Sequence, residues 1–249
     1  MLYLLASGED GVLVDIGTDA PSALQKLQRT LTDLNVTRLR ALLLTHTHPD
    51  HCAGAAWVRE TFGVPSYAHP LETPPFPILP LTGGETVLGV VVHHTPGHSP
   101  GHLSFETTGA LLIGDLLAAQ GSTWVGLPGG NLRAYLASLE SVSKIIEARA
   151  IGVLGPGHGP SVSHPLRRLR EVRAHRLERE TQVLSALRHP LTLADLRTAI
   201  YPELPAAALR AADGSLLAQL EKLMYEGAVS QTPEGRYPHT WQQTFARVR

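Results

Sequence analysis

Leu39-Arg40-Ala41-Leu42-Leu43-Leu44-Thr45-His46-Thr47-His48-Pro49-Asp50-His51 sets an apolar run directly against four metal-ligating side chains crowded into six residues. Packing alone does not account for such crowding. The apolar run, closed by a turn signal at Pro49 and followed by a helix-like pattern, reads as a buried strand feeding a helix, with the ligands at the strand's exit. In extended chain, side chains two apart share a face, so His46 and His48 can reach one metal together. Beyond Pro49 the chain changes direction, and Asp50 and His51 face a different point, most simply a second metal close by. Neutral imidazole and carboxylate suit zinc best among common metals, although manganese and iron accept the same ligand types.

The chain has 249 residues and is 43% hydrophobic, enough to bury a full core in one large domain or a domain and a half. No apolar segment exceeds strand size. The opening Met1-Leu2-Tyr3-Leu4-Leu5-Ala6 has neither the basic lead nor the length of a signal or membrane segment, so a soluble cytoplasmic protein with no membrane partner is expected. The single cysteine, Cys52, excludes an internal disulfide and a Cys-rich zinc module, and is expected as a small packed residue behind His51. Charge is unevenly spread: residues 1–164 carry 8 Lys+Arg against 13 Asp+Glu, and residues 165–249 carry 13 against 9. Two divalent ions would offset most of the first excess, and the basic second region suits an anionic partner.

Working outward from the ligand strand, residues 2–5 and 12–16 read as a hairpin around Gly8-Glu9-Asp10-Gly11, with Asp15 either orienting a ligand histidine or capping a turn. Leu24, Leu27, Leu31 and Leu34 have the spacing of an amphipathic helix beginning at Ser22. After the ligand strand comes a helix over 53–62 ended by Gly63, then a strand over 64–68 leading to His69, read as a loop residue near the site. Pro70, Pro74, Pro75, Pro77 and Pro80 stiffen a loop that is neither helix nor central strand. Strands over 86–88 and 90–94 lead into Thr95-Pro96-Gly97-His98-Ser99-Pro100-Gly101-His102. A strand over 110–113 is closed by Gly114-Asp115, and a loop over 119–130 precedes a helix capped by Asn131 and running through Leu132, Leu136, Leu139, Val142 and Ile146. A last strand over 151–154 exits into Gly155-Pro156-Gly157-His158-Gly159-Pro160.

Four strands thus end in ligand residues: His46/His48/Asp50/His51, His98, Asp115 and His158. Strand ends opening into loops at one sheet edge are where α/β folds assemble sites, and flanking glycines let backbones approach one another.

Thr45-His46-Thr47-His48-Pro49-Asp50-His51, Thr95-Pro96-Gly97-His98, Gly114-Asp115 and Gly157-His158-Gly159 together resemble the metallo-β-lactamase superfamily, over roughly residues 1–164. The resemblance implies an α/β fold, an αββα sandwich, with two metals in a cleft at the sheet edges. It implies that His46, His48 and His98 hold the first metal, that Asp50, His51 and His158 hold the second, and that Asp115 bridges both. His102 stands where many relatives have a smaller residue and is expected as a strand residue beneath the site, or else as a contact to ligand or substrate. With aspartate at the bridging position and no cysteine to replace it, the ligand set resembles thioesterase, nuclease and lactonase members rather than the namesake lactamases. The resemblance also implies more chain ahead of its first strand than Met1-Leu2-Tyr3 provides.

The tail resembles something narrower. Ala174-His175-Arg176-Leu177-Glu178-Arg179-Glu180 on a helix, the segments 191–200 and 215–226, Gly227-Ala228-Val229-Ser230 and the turn Thr232-Pro233-Glu234-Gly235 resemble the C-terminal winged-helix-like extension of the β-lactamase-like protein 2 group. Members of that group are linked to endoribonuclease activity on single-stranded RNA. Residues 165–249 are therefore expected as a connecting helix plus a smaller, mainly helical winged-helix-like domain. Leu216, Leu220 and Leu223 would pack one helix face, Gly227 would end that helix, and Val229 with Tyr237 would form a two-stranded wing. The module reads as a fold support rather than a DNA reader. Arg167, Arg168, Arg170, Arg173, Arg176 and Arg179 line about one helix, either as an anion-facing strip or as a solvated face paired with Glu171, Glu178 and Glu180.

Two divalent ions sharing a water would lower its pKa to roughly 7 and leave a metal-bridging hydroxide as nucleophile, with no serine or cysteine required. Asp50, on the second metal, is expected to steer or shuttle the proton. The ligands point to hydrolysis and leave the substrate open. Single-stranded RNA or another phosphodiester is expected first, and a small-molecule ester or thioester of the hydroxyacylglutathione-hydrolase kind second. A non-catalytic nucleic-acid-binding protein is third, because structural zinc closes four ligands, often with cysteine, whereas these suit open sites.

Overall fold

The structure is a computed structural model of the 249-residue chain and describes residues 2–234 and 242–248. β1 (Tyr3–Ser7) and β2 (Asp10–Val14) pair antiparallel about a tight turn at Gly8, whose φ of +58° favours glycine. α1 (Pro21–Asp33) buries Leu24, Leu27 and Leu31. Leu34, expected on the same face, instead follows the helix as its C-cap and is 54% exposed, so the apolar stripe ends a turn early. β3 (Arg38–Leu43) leads through the ligand segment into two short helices, α2 (Pro49–Cys52) and α3 (Ala55–Phe62), the latter closed by Gly63 at φ +65°. β4 (Ser66–Ala68) and β5 (Leu79–Pro80) complete a sheet of order β1-β2-β3-β4-β5. Pro80 lies on the edge strand, where a missing N–H breaks no ladder.

β6 (Thr86–Val87), β7 (Val90–His94), β8 (Leu103–Thr107), β9 (Ala110–Gly114) and β10 (Val153–Pro156) form the second sheet, in the order β10-β9-β8-β7-β6. β8 is an addition to the strands expected from sequence. It pairs antiparallel with β7 and β9, and it begins directly after the His- and Pro-containing turn. α4 (Leu132–Arg149) crosses between β9 and β10, which are parallel, and the Asn131 side chain accepts the Ala134 N–H at its start.

Strand alternation builds the layers. Val12, Val14, Ala41 and Leu43 point between the sheets with Val92, Leu103, Phe105 and Leu112, while Leu13, Leu42 and Leu44 point the other way onto α1 and α3. Leu111 and Ile113 of β9 likewise turn outward onto Leu139 and Val142 of α4. The result is helix, sheet, sheet, helix.

α5 (Pro165–Ala186), β11 (Leu191–Thr192), α6 (Leu193–Ile200), α7 (Leu209–Tyr225), β12 (Val229–Glu234) and β13 (Gln242–Arg247) follow, with a small sheet ordered β11-β13-β12. α5 serves two cores: Leu169 and Val172 pack with α4, whereas Val183 packs with Leu196, Leu216, Leu220, Leu223, Val229 and Phe245. α7 begins at Leu209, ahead of the expected 215. In the wing, Val229 pairs with Arg247, and residues 232–234 extend β12 where a turn was expected. Gly235 and Tyr237 lie outside the described residues. Among the described residues no helix is long and apolar enough to cross a membrane.

Leu43 is fully buried between the sheets and Leu34 is not, so Leu43→Ala is expected to cost about 2–5 kcal/mol of unfolding free energy. Leu34→Ala should stay within about 0.5 kcal/mol of the parent, as surface changes do. Denaturant titrations of the two variants check the difference.

Candidate metal centre

The exits of β3, β7, β9 and β10 bring the expected side chains into two adjoining groups: His46, His48 and His98 in one, Asp50, His51, Asp115 and His158 in the other, with ligand atoms in each group within 4.8 Å of one another. In the first group His46 Nε2 is 3.1 Å from His48 Nδ1, and His98 Nε2 is 2.9 Å from His48 Nδ1 and 3.3 Å from His46 Nε2. Asp115 reaches both groups. Its Oδ1 is 3.2 Å from His51 Nε2, and its Oδ2 is 3.5 Å from His158 Nε2 and 3.7 Å from His98 Nε2. His158 Nε2 is in turn 3.2 Å from Asp50 Oδ2. Burial is graded: His46 and His51 are fully buried, while Asp50 and His158 are exposed and open the second group to solvent.

The opposite ring nitrogens are committed, and that fixes the tautomers. Asp15 sits at φ +57°, a left-handed conformation that aspartate tolerates better than most residues. Its Oδ1 accepts the Thr45 N–H, and its Oδ2 accepts both the Thr45 hydroxyl and His51 Nδ1–H, at 2.7 Å each. Having donated to Asp15, the Thr45 hydroxyl can only accept from His46 Nδ1, 3.0 Å away. His98 Nδ1 donates to the Trp124 carbonyl at 2.8 Å. His46 Nε2 and His98 Nε2 therefore present lone pairs to the centre. Of the two readings of Asp15, orientation of a histidine is the observed one.

Burial, with the neighbouring histidines adding to it, pushes the His46 imidazole well below its ordinary value, and burial likewise lowers His98. Both are neutral, the form that binds metal. Burial opposes charge on His51 as well, but the carboxylates of Asp115 and Asp15 outweigh it and raise His51 to about 10. Burial would raise Asp115, yet His51, His98 and His158 hold it down at about 2. His51 Nε2 lies close to Asp115 without the alignment of a hydrogen bond and is left a buried nitrogen with no partner. A divalent cation fits this donor set. Nitrogens about 2.0–2.1 Å from a tetrahedral zinc lie roughly 3.3 Å apart, close to the spacings of the histidine trio.

His69 and His102 stand outside both groups. His102, expected as a strand residue, is fully buried in the turn immediately ahead of β8, where its Nε2 accepts the Asp115 N–H and its Nδ1 donates to Thr95. It props the Asp115 backbone from beneath. Cys52, buried behind His51, donates to the Thr47 carbonyl. Gly157 faces Asp115 Oδ1 and His51 Cε1 so closely that a Cβ would collide with both. Sequence reasoning passed over Thr45, Glu72 and the Trp124 carbonyl. A threonine preceding the first histidine was the one legible signal among them.

The tail grips the loop that carries Trp124. Arg168 donates to the carbonyls of Ala118 and Gly121, and Arg176 to that of Thr123. From α7, the Ala211 carbonyl accepts the Trp124 indole N–H at 3.0 Å, and the Gly214 carbonyl accepts Leu127 N–H. The arginine row is thus two-sided. Arg168 and Arg176 are internal fastenings, Arg179 lies over Tyr201, and Arg167, Arg170 and Arg173 face solvent. Of the expected acidic partners, Glu171 pairs with Arg167, whereas Glu180 is held by Lys222 and Gln219.

The model of the Metallo-beta-lactamase superfamily matches residues 2–82 and 81–172, and that of the Beta-lactamase associated winged helix domain matches residues 192–241. A beta-lactamase-like protein 2 homolog from Caenorhabditis elegans is 25% identical over 251 residues, spanning 91% of this chain and 79% of that protein. A hydroxyacylglutathione hydrolase from Dechloromonas aromatica is 35% identical over 150 residues, 58% of this chain and 53% of that protein. The crystal structure of a metallo-beta-lactamase family protein from Thermus thermophilus superposes with a TM-score of 0.78 at 28% identity, covering 99% of this chain and 93% of that one.

At pH 8, protein stripped by chelation should carry a proton on His51 that a metal must displace, so reloading is expected to release about one proton more at pH 8 than well above pH 10, where His51 is already neutral. Calorimetry in buffers of different ionisation enthalpy reads this directly. The raised His51 value also stabilises the stripped fold fully below its ordinary value of 6.5, and the benefit is lost as pH climbs through about 10. Melting temperature of the stripped protein should fall over that window.

Proposed function

The chain belongs to the metallo-beta-lactamase superfamily of metal-dependent hydrolases, and from that premise we propose that it is a dinuclear phosphodiesterase acting on single-stranded RNA. One observation carries the dinuclear part: the Asp115 carboxylate stands between the histidine trio and the Asp50, His51 and His158 group, within 3.7 Å of ring nitrogens from both. In this reading His46, His48 and His98 hold one ion, Asp50, His51 and His158 hold the other, and Asp115 holds both. Zinc suits the ligands best, with manganese and iron the alternatives.

Bound divalent ions supply Lewis acidity towards the substrate oxygen and bring the pKa of water towards neutrality. The chain's residues do the rest. Asp15 and Thr45 fix the rings of His46 and His51, and His102 fixes the Asp115 backbone. Asp50 is exposed, 3.2 Å from His158 Nε2, and is placed to steer a proton between the site and solvent. Residues 1–164 are the catalytic domain, and residues 165–249 supply the connecting helix and the winged-helix-like domain.

The substrate class rests on charge. Arg167, Arg170 and Arg173 recur every three residues along the solvent face of α5, and that strip suits a phosphate backbone. A second reading, hydrolysis of a small thioester, is favoured by the likeness to a hydroxyacylglutathione hydrolase over 58% of the chain. A small thioester of that kind offers such a strip a carboxylate or two, whereas a phosphate backbone offers a charge at every nucleotide.

Elemental analysis is expected to find two transition-metal ions per chain, and Asp115→Ala should weaken both. A single ion indifferent to that change would refute the dinuclear reading. Metal-dependent cleavage of single-stranded RNA should fall steeply with salt. Reversing Arg167, Arg170 and Arg173 to glutamate should reduce the slope of log affinity against log salt by about 2, at roughly 0.7 per phosphate contact, and slow a neutral ester far less. Intact RNA alongside turnover of an acyl-thioester at roughly 1 to 1,000 per second would install the thioesterase reading instead.

A further inference from the structure

Glu72 belongs to neither metal-binding group, yet it is buried and fully engaged. Its Oε2 accepts the Thr47 N–H at 2.9 Å and the Thr47 hydroxyl at 2.7 Å, and its Oε1 accepts the Ser99 hydroxyl at 2.6 Å and the Gly101 N–H at 3.1 Å. Thr47 lies between His46 and His48, and Ser99 follows His98. One carboxylate therefore bolts together the two loops that carry the whole trio, through hydrogen bonds of the charge-assisted kind.

Glu72 is itself held. Its N–H donates to the His69 carbonyl, and Leu71 N–H donates to His69 Nδ1, closing a tight turn after β4. The His69 ring stacks on that of His94 at 4.3 Å and 13°, and His94 Nε2 donates to the Pro100 carbonyl in the loop that Glu72 clamps. A Cβ on Gly101 would press within 2.8 Å of Glu72 Cγ, so glycine is what lets the loop approach. Two histidines that serve neither group thus find a use.

We propose that Glu72 is a positioning residue for the histidine trio: it sets the separation of His98 from His46 and His48, and so the metal affinity of that site, and leaves the Asp50, His51 and His158 site largely alone. This rests on the trio being a metal site. Glu72→Gln preserves shape but turns an amide NH2 towards Thr47 or Gly101, whose backbone N–H, unlike a hydroxyl, cannot reverse to accept.

The test is a zinc titration of the full-length chain against a competing chelator, with far-UV circular dichroism to verify folding. Glu72→Gln is expected to weaken one of two sites by about 10–100-fold, the range found when outer partners of metal ligands are changed, and to move the other by less than about threefold. In a His48→Ala background, which deletes the trio site, Glu72→Gln should have no further effect. In a His158→Ala background its effect should persist in full. Should Glu72→Gln fail to fold, Ser99→Ala and Thr47→Val each remove one hydroxyl from the clamp, and each should weaken the same site by about 3–10-fold. A folded Glu72→Gln protein with unchanged affinities, equal weakening of both sites, or a lowered melting temperature alone overturns the proposal, as do unchanged affinities in the two hydroxyl variants. If His48→Ala leaves two sites intact, the assignment of the trio fails first and separately.

Discussion

Three imidazole nitrogens held 2.9–3.3 Å apart, with the buried His51 and Asp115 beside them, are a costly thing to bury. Lone pairs that face one another gain nothing from each other, and polar groups removed from water without partners cost free energy in proportion to their burial. A divalent cation held by these groups would turn that cost into coordination. Much of the remaining architecture can be understood as what keeps these groups from relaxing apart. The two sheets aim four strand exits at one point, Asp15 knots the ends of β2 and β3 to α2, and His102 braces Asp115 from below.

Close backbone approach is the second part of that restraint. α4 lies so near the His98 turn that a Cβ on Gly97 would overlap the Tyr135 backbone, and Asn131, which caps α4, also donates its N–H to the Gly97 carbonyl. The His98 loop is thereby pressed between α4 on one side and the Glu72 carboxylate on the other. Its remaining orientation comes from the Trp124 carbonyl, on a loop that the C-terminal helices fasten. Contacts from α4, from Glu72 and from the Trp124 loop therefore meet on one turn.

The two side-chain groups were legible because chemistry-bearing residues gathered at strand exits, where an apolar run ends in His or Asp and little else accounts for it. Glu72 was not, because a lone glutamate in a proline-rich loop has no local signature, and its partners at Thr47, Ser99 and Gly101 are distant in sequence. β8 was hidden by the His98–His102 turn, whose Pro and Gly residues read as continuing loop. Leu34 kept helical spacing past the point where the chain left the core, a limit that periodicity cannot see. The arginines of α5 illustrate the same gap: spacing put them on one helix, but whether each met solvent or a carbonyl depended on the loop packed against it.

α5 has no proline or glycine between Leu166 and Ala186, so it lacks the usual causes of a kink, and it enters a different hydrophobic core at each end. Its 22 residues make a rod about 33 Å long. Such a rod conserves angular phase. One residue inserted in its middle would advance the C-terminal module by about 1.5 Å and turn it by roughly 100°, taking α7 away from Trp124, whereas seven inserted residues would nearly restore the angle while lengthening the rod by about 10 Å. The length of this connector therefore helps set where the Trp124 carbonyl meets His98, alongside the Arg168 and Arg176 side chains that grip the same loop.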